Sequence, residues 1–287
     1  MTLHIAQTTT TARARTGRPD ASQRRRATEA IGFVAVWMAA GYLLPISSDG
    51  YLLLGIPLTV AFQLFVRRRP LRELFAPSRS RFAWDGRALA MAAALALLPA
   101  VYAVGAVLSH DWVVAGWYLA AAVGAVCAAF ALRTGTVVGA LRSAALPIAV
   151  GATGMALVYS AIHIVAGVPL SAAAAVATVV KYTALYFPAT FLLEEVSFRG
   201  AIDTHVHVDH GQRGWRSAVF VSALWGLWHL PVSHALPMPV QAVELVVVHV
   251  LLGVPLAFAW RRTRNLAGPA LAHAVNDAVR NAFMLGL

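Results

Sequence analysis

Long apolar runs separated by short polar breaks fill the chain from about residue 29 onward. They fall at about 29–46, 51–66, 88–108, 112–132, 144–166, 172–193, 215–230, 240–260 and 267–285. A helix that crosses a bilayer needs about 20 predominantly apolar residues, and several runs approach that length. The runs at 215–230 and 267–285 are shorter or more polar, so the pattern predicts eight or nine crossings. The expected fold class is all-α, a polytopic helical bundle integral to a membrane. Residues 1–27 are polar, rich in Thr and Arg, and carry Arg24-Arg25-Arg26. No short apolar core with a cleavage site follows them, so they read as a disordered cytoplasmic tail rather than a signal peptide. The rest divides into membrane helices over 28–170 and a chemistry-bearing helical core over 171–287, with no internal repeat.

Composition supports the membrane reading. Hydrophobic residues make up 59% of the 287 and charged residues only 12%, against about 25% charged in soluble domains. The net charge of +11 is carried almost wholly by arginine, Lys181 being the one lysine. That skew points to a GC-rich, bacterial genome rather than to chemistry. The arginines are scattered among apolar runs, which argues topology and no nucleic-acid partner. The tail, the 67–87 loop, the 133–143 turn, the 199–216 loop and Arg261-Arg262-Thr263-Arg264 hold nearly all of them, while the alternate loops at 47–50, 109–111, 167–171 and 231–239 have none. This asymmetry predicts a cytoplasmic N-terminus. Nine crossings put the C-terminus outside, and eight put it inside. The single cysteine, Cys127, excludes an internal disulfide or a thiolate metal site.

Ionisable residues inside such a chain mark candidate chemistry, because they are costly at membrane depth. The stretch Phe191-Leu192-Leu193-Glu194-Glu195-Val196-Ser197-Phe198-Arg199-Gly200 holds two carboxylates and a guanidinium. On a helix Glu195 and Arg199 share a face and can pair, leaving Glu194 about 100° away and free. Two further patterns follow: Trp225-Gly-Leu-Trp228-His229 and His273-Ala-Val-Asn276-Asp277. In each, the four-residue spacing aligns two groups on one face. Three helices can thus gather a carboxylate and two imidazoles in a water-filled hollow. Attack of water on an amide needs a base and donors for the oxyanion. Glu194 suits the base, His229 a partner for the water, and His273 with Asn276 the oxyanion, while Asp277 can fix the tautomer of His273. Depth counting favours a sixth crossing from about Tyr182 to His205, kinked at Pro188, with 171–180 along the outer surface.

These three motifs, in this order, resemble the CPBP family of intramembrane proteases, also called the CAAX-protease or Abi family. Its pattern is Glu-Glu-xxx-Arg, Phe-xxx-His and His-xxx-Asn/Asp, and the resemblance covers about 185–280. Trp225 replaces the usual Phe, and Asp277 takes the Asp option, which removes an amide donor there. The resemblance implies a helical membrane endopeptidase that cleaves membrane-anchored peptide or protein substrates. Eukaryotic members act on prenylated CaaX tails, and some bacterial relatives are linked to bacteriocin processing or self-immunity. The mechanism is described for the family both as metal-dependent and as glutamate-based, so the cofactor is either none or a single divalent metal such as zinc. His229 and His273 with one of Glu194, Glu195 or Asp277 are the ligands available, and no His-Glu-xx-His pair pre-forms a site.

Blander readings stand beside these. A Glu-Glu-xxx-Arg group alone is more often an interfacial ion-pair cluster. Trp225 and Trp228 read as packing or interfacial anchors, and Asp277 can simply neutralise Arg280. Asp203, His205, His207, Asp209 and His210 read as solvated surface rather than a metal cluster. His163, Glu244 and His249 read as interhelical hydrogen bonds, with Glu244 and His249 also able to line the cavity. The competing functions are a non-catalytic scaffold or bacteriocin-immunity-type protein and, third, a proton-coupled carrier.

Overall fold

The computed structural model describes residues 21–76, 85–169, 171–207 and 214–284, and every regular element among them is helical. Helix α1 spans Ala21–Leu43, and α2 spans Ser48–Ala61 before widening into a π-helical turn at Phe62–Val66. A 3₁₀ turn at Leu71–Leu74 precedes α3 (Gly86–Leu108), α4 (Trp112–Thr134) and α5 (Val137–Ala166). Then α6 (Ala172–Thr190) passes without a break into a π-helical stretch, Phe191–Asp203, and a last turn, α7 (Thr204–Val206). The remaining helices are α8 (Trp215–Trp228), α9 (Met238–Thr263) and α10 (Ala267–Met284). The helix starts are written locally. Ser47, Asp85, Asp111, Thr136 and Ser171 each accept a backbone N–H from the first turn of the helix that follows, satisfying donors that a helix end leaves orphaned. Gly167, at φ +68°, closes α5 in the left-handed conformation that glycine adopts without penalty.

Six of the described helices are long and apolar enough to cross a membrane: Ser48–Val66, α3, α4, α5, the continuous Ala172–Val206 and α9. The protein is an integral membrane helical bundle. Helices α1, α8 and α10 fall short of that measure and pack against the six. Two local expectations are corrected. Residues 172–180 do not lie apart along a surface; they are the first turns of a 35-residue helix, and Pro188 sits inside it. Arg24–Arg26 belong to α1, which begins at Ala21, while the remainder of the expected tail, residues 1–20, lies outside the described residues.

Lipid is as apolar as a leucine side chain, so helices in a bilayer are joined by close packing and hydrogen bonds rather than by the hydrophobic effect. The bundle shows both. A Cβ at Gly124 would run into the Pro188 carbonyl oxygen, and one at Gly200 into that of Leu74, so α4 and the 3₁₀ turn approach the α6 backbone closely. Trp37 Nε1 donates to the Tyr51 carbonyl at 2.9 Å and Tyr51 Oη donates to that of Trp228 at 2.8 Å, tying α1, α2 and α8 around buried Phe198. Helix α10 packs against both α5 and α6, and α8 against α9. The π-helical stretch lies at the centre, with all its residues buried except Leu192.

At the end of the bundle that bears the arginines, the polar residues are paired. Asp203 takes both Nε and Nη2 of Arg261, at 2.9 and 2.5 Å. Glu29 Oε2 lies 2.7 Å from His205 Nε2, and His207 Nδ1 lies 3.3 Å from Ser217 Oγ. Arg67 Nη1 donates to Gly200 O at 3.0 Å, and Trp260 Nε1 donates to Thr204 Oγ1 at 3.0 Å. This corrects the solvated-surface reading of Asp203, His205 and His207. Their partners come from other helices, which spacing along one helix does not reveal. Asp209 and His210 of the same group lie outside the described residues.

Candidate active site

The fold brings Glu194, His229 and His273 together. Glu194 sits in the first turn of the π-helical stretch, His229 caps α8, and His273 lies in the second turn of α10. Glu194 Oε2 is 3.9 Å from His229 Nε2 and 3.9 Å from His273 Nε2. Each ring is oriented by its other nitrogen. His229 Nδ1 is 2.9 Å from the Trp225 carbonyl, which can only accept, so Nδ1 carries the proton and Nε2 faces Glu194. His273 Nδ1 is 2.9 Å from Glu195 Oε1, and a carboxylate there fixes the same orientation.

Glu195 therefore does more than the pairing read from the sequence. Its Oε1 accepts from Arg199 Nη1 at 3.0 Å and from His273 Nδ1 at 2.9 Å, and Glu195 and Arg199 are 0% and 1% exposed. Asp277 was expected to accept from one ring nitrogen of His273, and it stands at Nε2 while Glu195 holds Nδ1. Asp277 Oδ2 lies 3.4 Å from Nε2, and its Oδ1 lies 3.3 Å from Arg280 Nη1. Asn276 is buried beside them. Its Oδ1 has no hydrogen-bond partner among the described residues, and its amide occupies the space a Cβ at Gly151 of α5 would need.

Trp225, read from the sequence as packing, belongs to the site. Its Nε1–H donates to Glu194 Oε2 at 2.9 Å, and the Arg199 guanidinium carbon lies 4.1 Å from the centroid of its ring. The signal was present in the four-residue spacing to His229, but the partner of the indole N–H comes from another helix. Gly253 of α9 leaves room for that guanidinium, since a Cβ there would come within 3.0 Å of Arg199 Nη2. His249 bonds its own helix, Nδ1 to the Leu245 carbonyl at 2.7 Å, and its ring lies 4.5 Å from that of Trp225 and 4.2 Å from that of His229. It lines the cavity, as does Glu244, which accepts from Gln241 at 2.8 Å. His163 is elsewhere, against the backbone carbonyls of Val168 and Phe283.

The cavity has a volume of about 740 Å³. Glu194, His229, His273 and Asn276 line it amid mostly apolar neighbours. The donor set was tested against a divalent metal. Ligand atoms at about 2.0–2.2 Å around tetrahedral zinc stand roughly 3.4 Å apart. Glu194 Oε2 is 3.9 Å from both imidazole nitrogens, and its other close partner is an N–H donor. Among the described residues no group of three or more His, Cys, Asp or Glu is spaced to hold a metal ion. As arranged, these residues do not fit a three-ligand zinc centre.

The arrangement suits a shared water. One carboxylate oxygen and two ring nitrogens, Glu194 Oε2 with Nε2 of His229 and of His273, converge on one volume. Spacings of 3.9 Å are too long for direct hydrogen bonds, and a water between such groups bridges them. No curated protein and no solved structure matches the chain. Residues 176–279 match a protein-family model described as Type II CAAX prenyl endopeptidase Rce1-like. That span covers about a third of the chain, from α6 into α10, and contains all of the side chains that converge here.

Proposed function

We propose, on the premise that residues 176–279 form the Rce1-like endopeptidase domain that they match, that the protein is an intramembrane endopeptidase acting on membrane-anchored peptides or proteins. The observation that carries this reading is the pair of 3.9 Å separations from Glu194 Oε2 to the two Nε2 atoms. Glu194 is the general base for a water held between it and His229, whose Nε2 accepts from that water. The Trp225 N–H orients the carboxylate. As the water attacks the scissile carbonyl carbon, its proton passes to Glu194, which then returns it to the leaving amine.

His273 faces Glu194 and Asp277 on one side and Glu195 on the other. In its protonated form Nε2–H donates to the oxyanion, joined by the Asn276 amide. Three carboxylates against the guanidiniums of Arg199 and Arg280 leave room for one such positive charge, and buried charges are tolerated when paired. Glu195 and Arg199 support the site by holding His273. The distribution of arginines supports a cytoplasmic N-terminus.

The test is cleavage of a library of membrane-anchored peptides by the purified protein in lipid. Glu194→Gln, His229→Ala and His273→Ala are each expected to lose about 10²-fold or more, the usual worth of a positioned acid or base. Cleavage is expected to survive a divalent-metal chelator. Cleavage that persists in Glu194→Gln removes Glu194 as the base, and no cleavage by the parent protein removes the hydrolase reading.

A further inference from the structure

Among the described residues, Asp49, Glu194, Glu244 and Asp277 are the acids that line the cavity. Three of them have a partner for their charge. Glu194 accepts from Trp225 and faces His229 and His273, and Asp277 stands between His273 and Arg280. Asp49 lies in the first turn of α2, where a helix N-terminus favours negative charge. Glu244 has none of these. It stands six residues beyond the start of α9 at Met238, past the first turn over which a helix end acts, and among the described residues no cation pairs with it.

The carboxylate is nonetheless held in place. Gln241, one turn earlier on α9 and 5% exposed, donates Nε2 to Glu244 Oε2 at 2.8 Å and accepts the Leu236 backbone N–H at 3.0 Å. A buried side chain anchored to backbone thus orients an exposed carboxylate, and Oε1 is left to a group that the cavity admits. Ionisable groups within membrane helices are costly and mark a site with a partner of opposite charge. Neither the proposed hydrolysis nor the packing of the bundle uses this one.

Helix α9 relates Glu244 to the reacting groups. Glu244, Leu245, Val248, His249 and Leu252 line the cavity as a stripe at helical spacing. Glu244 precedes His249 by about 7.5 Å along the axis, at 1.5 Å per residue, and the His249 ring is 4.2 Å from that of His229. An extended peptide advances about 3.3 Å per residue. A chain whose scissile bond lies at Glu194 and His229 therefore brings a side chain about two to four residues away opposite Glu244. We propose that Glu244 is a specificity-determining residue, taking the ammonium or guanidinium of a Lys or Arg on the membrane-anchored polypeptide at that distance from the cleaved bond. The position of the bond rests on the hydrolase reading; the preference for a cationic side chain does not.

The test uses membrane-anchored peptides that are N-acetylated, so that side chains alone carry positive charge. Each position within four residues of the bond in turn holds Lys, Arg, Gln or Glu, and the purified full-length protein is embedded in zwitterionic lipid. The parent protein is expected to cleave its best Lys or Arg peptide with kcat/KM about three- to tenfold above the Gln counterpart. Glu244→Gln is expected to bring that ratio to about one, and Glu244→Lys to turn the preference toward Glu. A carboxylate with only a structural role produces no such reversal. Absence of a Lys or Arg preference in the parent protein overturns the inference without recourse to any variant, and so does a preference that Glu244→Gln retains. Binding of fluorescent Lys and Gln peptides to the parent protein and to Glu244→Gln is measured alongside. Tighter binding of the Lys peptide that Glu244→Gln abolishes, with no peptide cleaved, keeps the cation site and removes the hydrolase reading. Equal binding of the two peptides, again with none cleaved, overturns both.

Discussion

At the scale of single residues, the site depends on hydrogen bonds that pre-set each reacting group. Trp225 is the clearest case, since its indole N–H is a donor to the oxygen of Glu194 that faces both histidines. Trp225→Phe keeps the ring under Arg199 and removes only that donor. A hydrogen bond to a charged group contributes about 1.5–3 kcal/mol, so kcat/KM is expected to fall roughly 10- to 100-fold with the melting temperature changed little. Steady-state kinetics beside a thermal melt in detergent decides this. Glu195→Gln acts differently. It leaves the fully buried Arg199 without its counter-charge and His273 Nδ1 without its carboxylate. Breaking a buried pair costs about 3–5 kcal/mol, so this variant is expected to lose stability as well as activity. A melt indistinguishable from that of the parent protein would show that the ion pair does not support the fold.

At the scale of elements, the unexpected feature is the passage of α6 into π-helical geometry at Phe191, shortly after Pro188. Proline removes a backbone donor and disturbs the turn before it, and π-helical turns inside α-helices are frequently found at functional sites. The Glu-Glu-xxx-Arg spacing read correctly which groups pair, but an ideal α-helix was the wrong ruler for this segment. The contact between α5 and α10 offers a sharper test. Gly151→Ala is expected to displace the Asn276 amide, because the new methyl would occupy its place. Overpacking of this sort costs about 1–3 kcal/mol. Turnover is expected to drop while substrate binding is retained. Unchanged turnover would remove Asn276 from the oxyanion role.

At the scale of the whole molecule, the described residues at the end that bears the arginines are tied by two polar pairs, Asp203 with Arg261 and Glu29 with His205, and the cavity lies to the other side of the reacting groups. Asp203 is the keystone of the arginine-bearing end, held by Arg261 from α9. Arg261→Met would strand a buried carboxylate and is expected to cost about 3–5 kcal/mol, recovered in large part by pairing it with Asp203→Leu. Melts of the two single variants and the double variant form a cycle that isolates the pair. Simple additivity of the two losses would argue against any coupling across this end.

The sequence by itself determined the helical membrane fold, the bounds of most helices to within a few residues, and the three motifs that converge. Apolar runs of spanning length admit only helices or closed barrels in lipid, and spacing within one helix fixes which residues share a face. It determined the arginine asymmetry as well, because charge in loops is a property of composition. Tertiary structure alone decided what crosses between helices. It set Glu195 beside Asp277 against His273, drew Trp225 into the site, turned Asp203 and His205 inward, and set the cavity to one side of the reacting groups. Those outcomes depend on distances between segments far apart in the chain, and no periodicity within a segment encodes them.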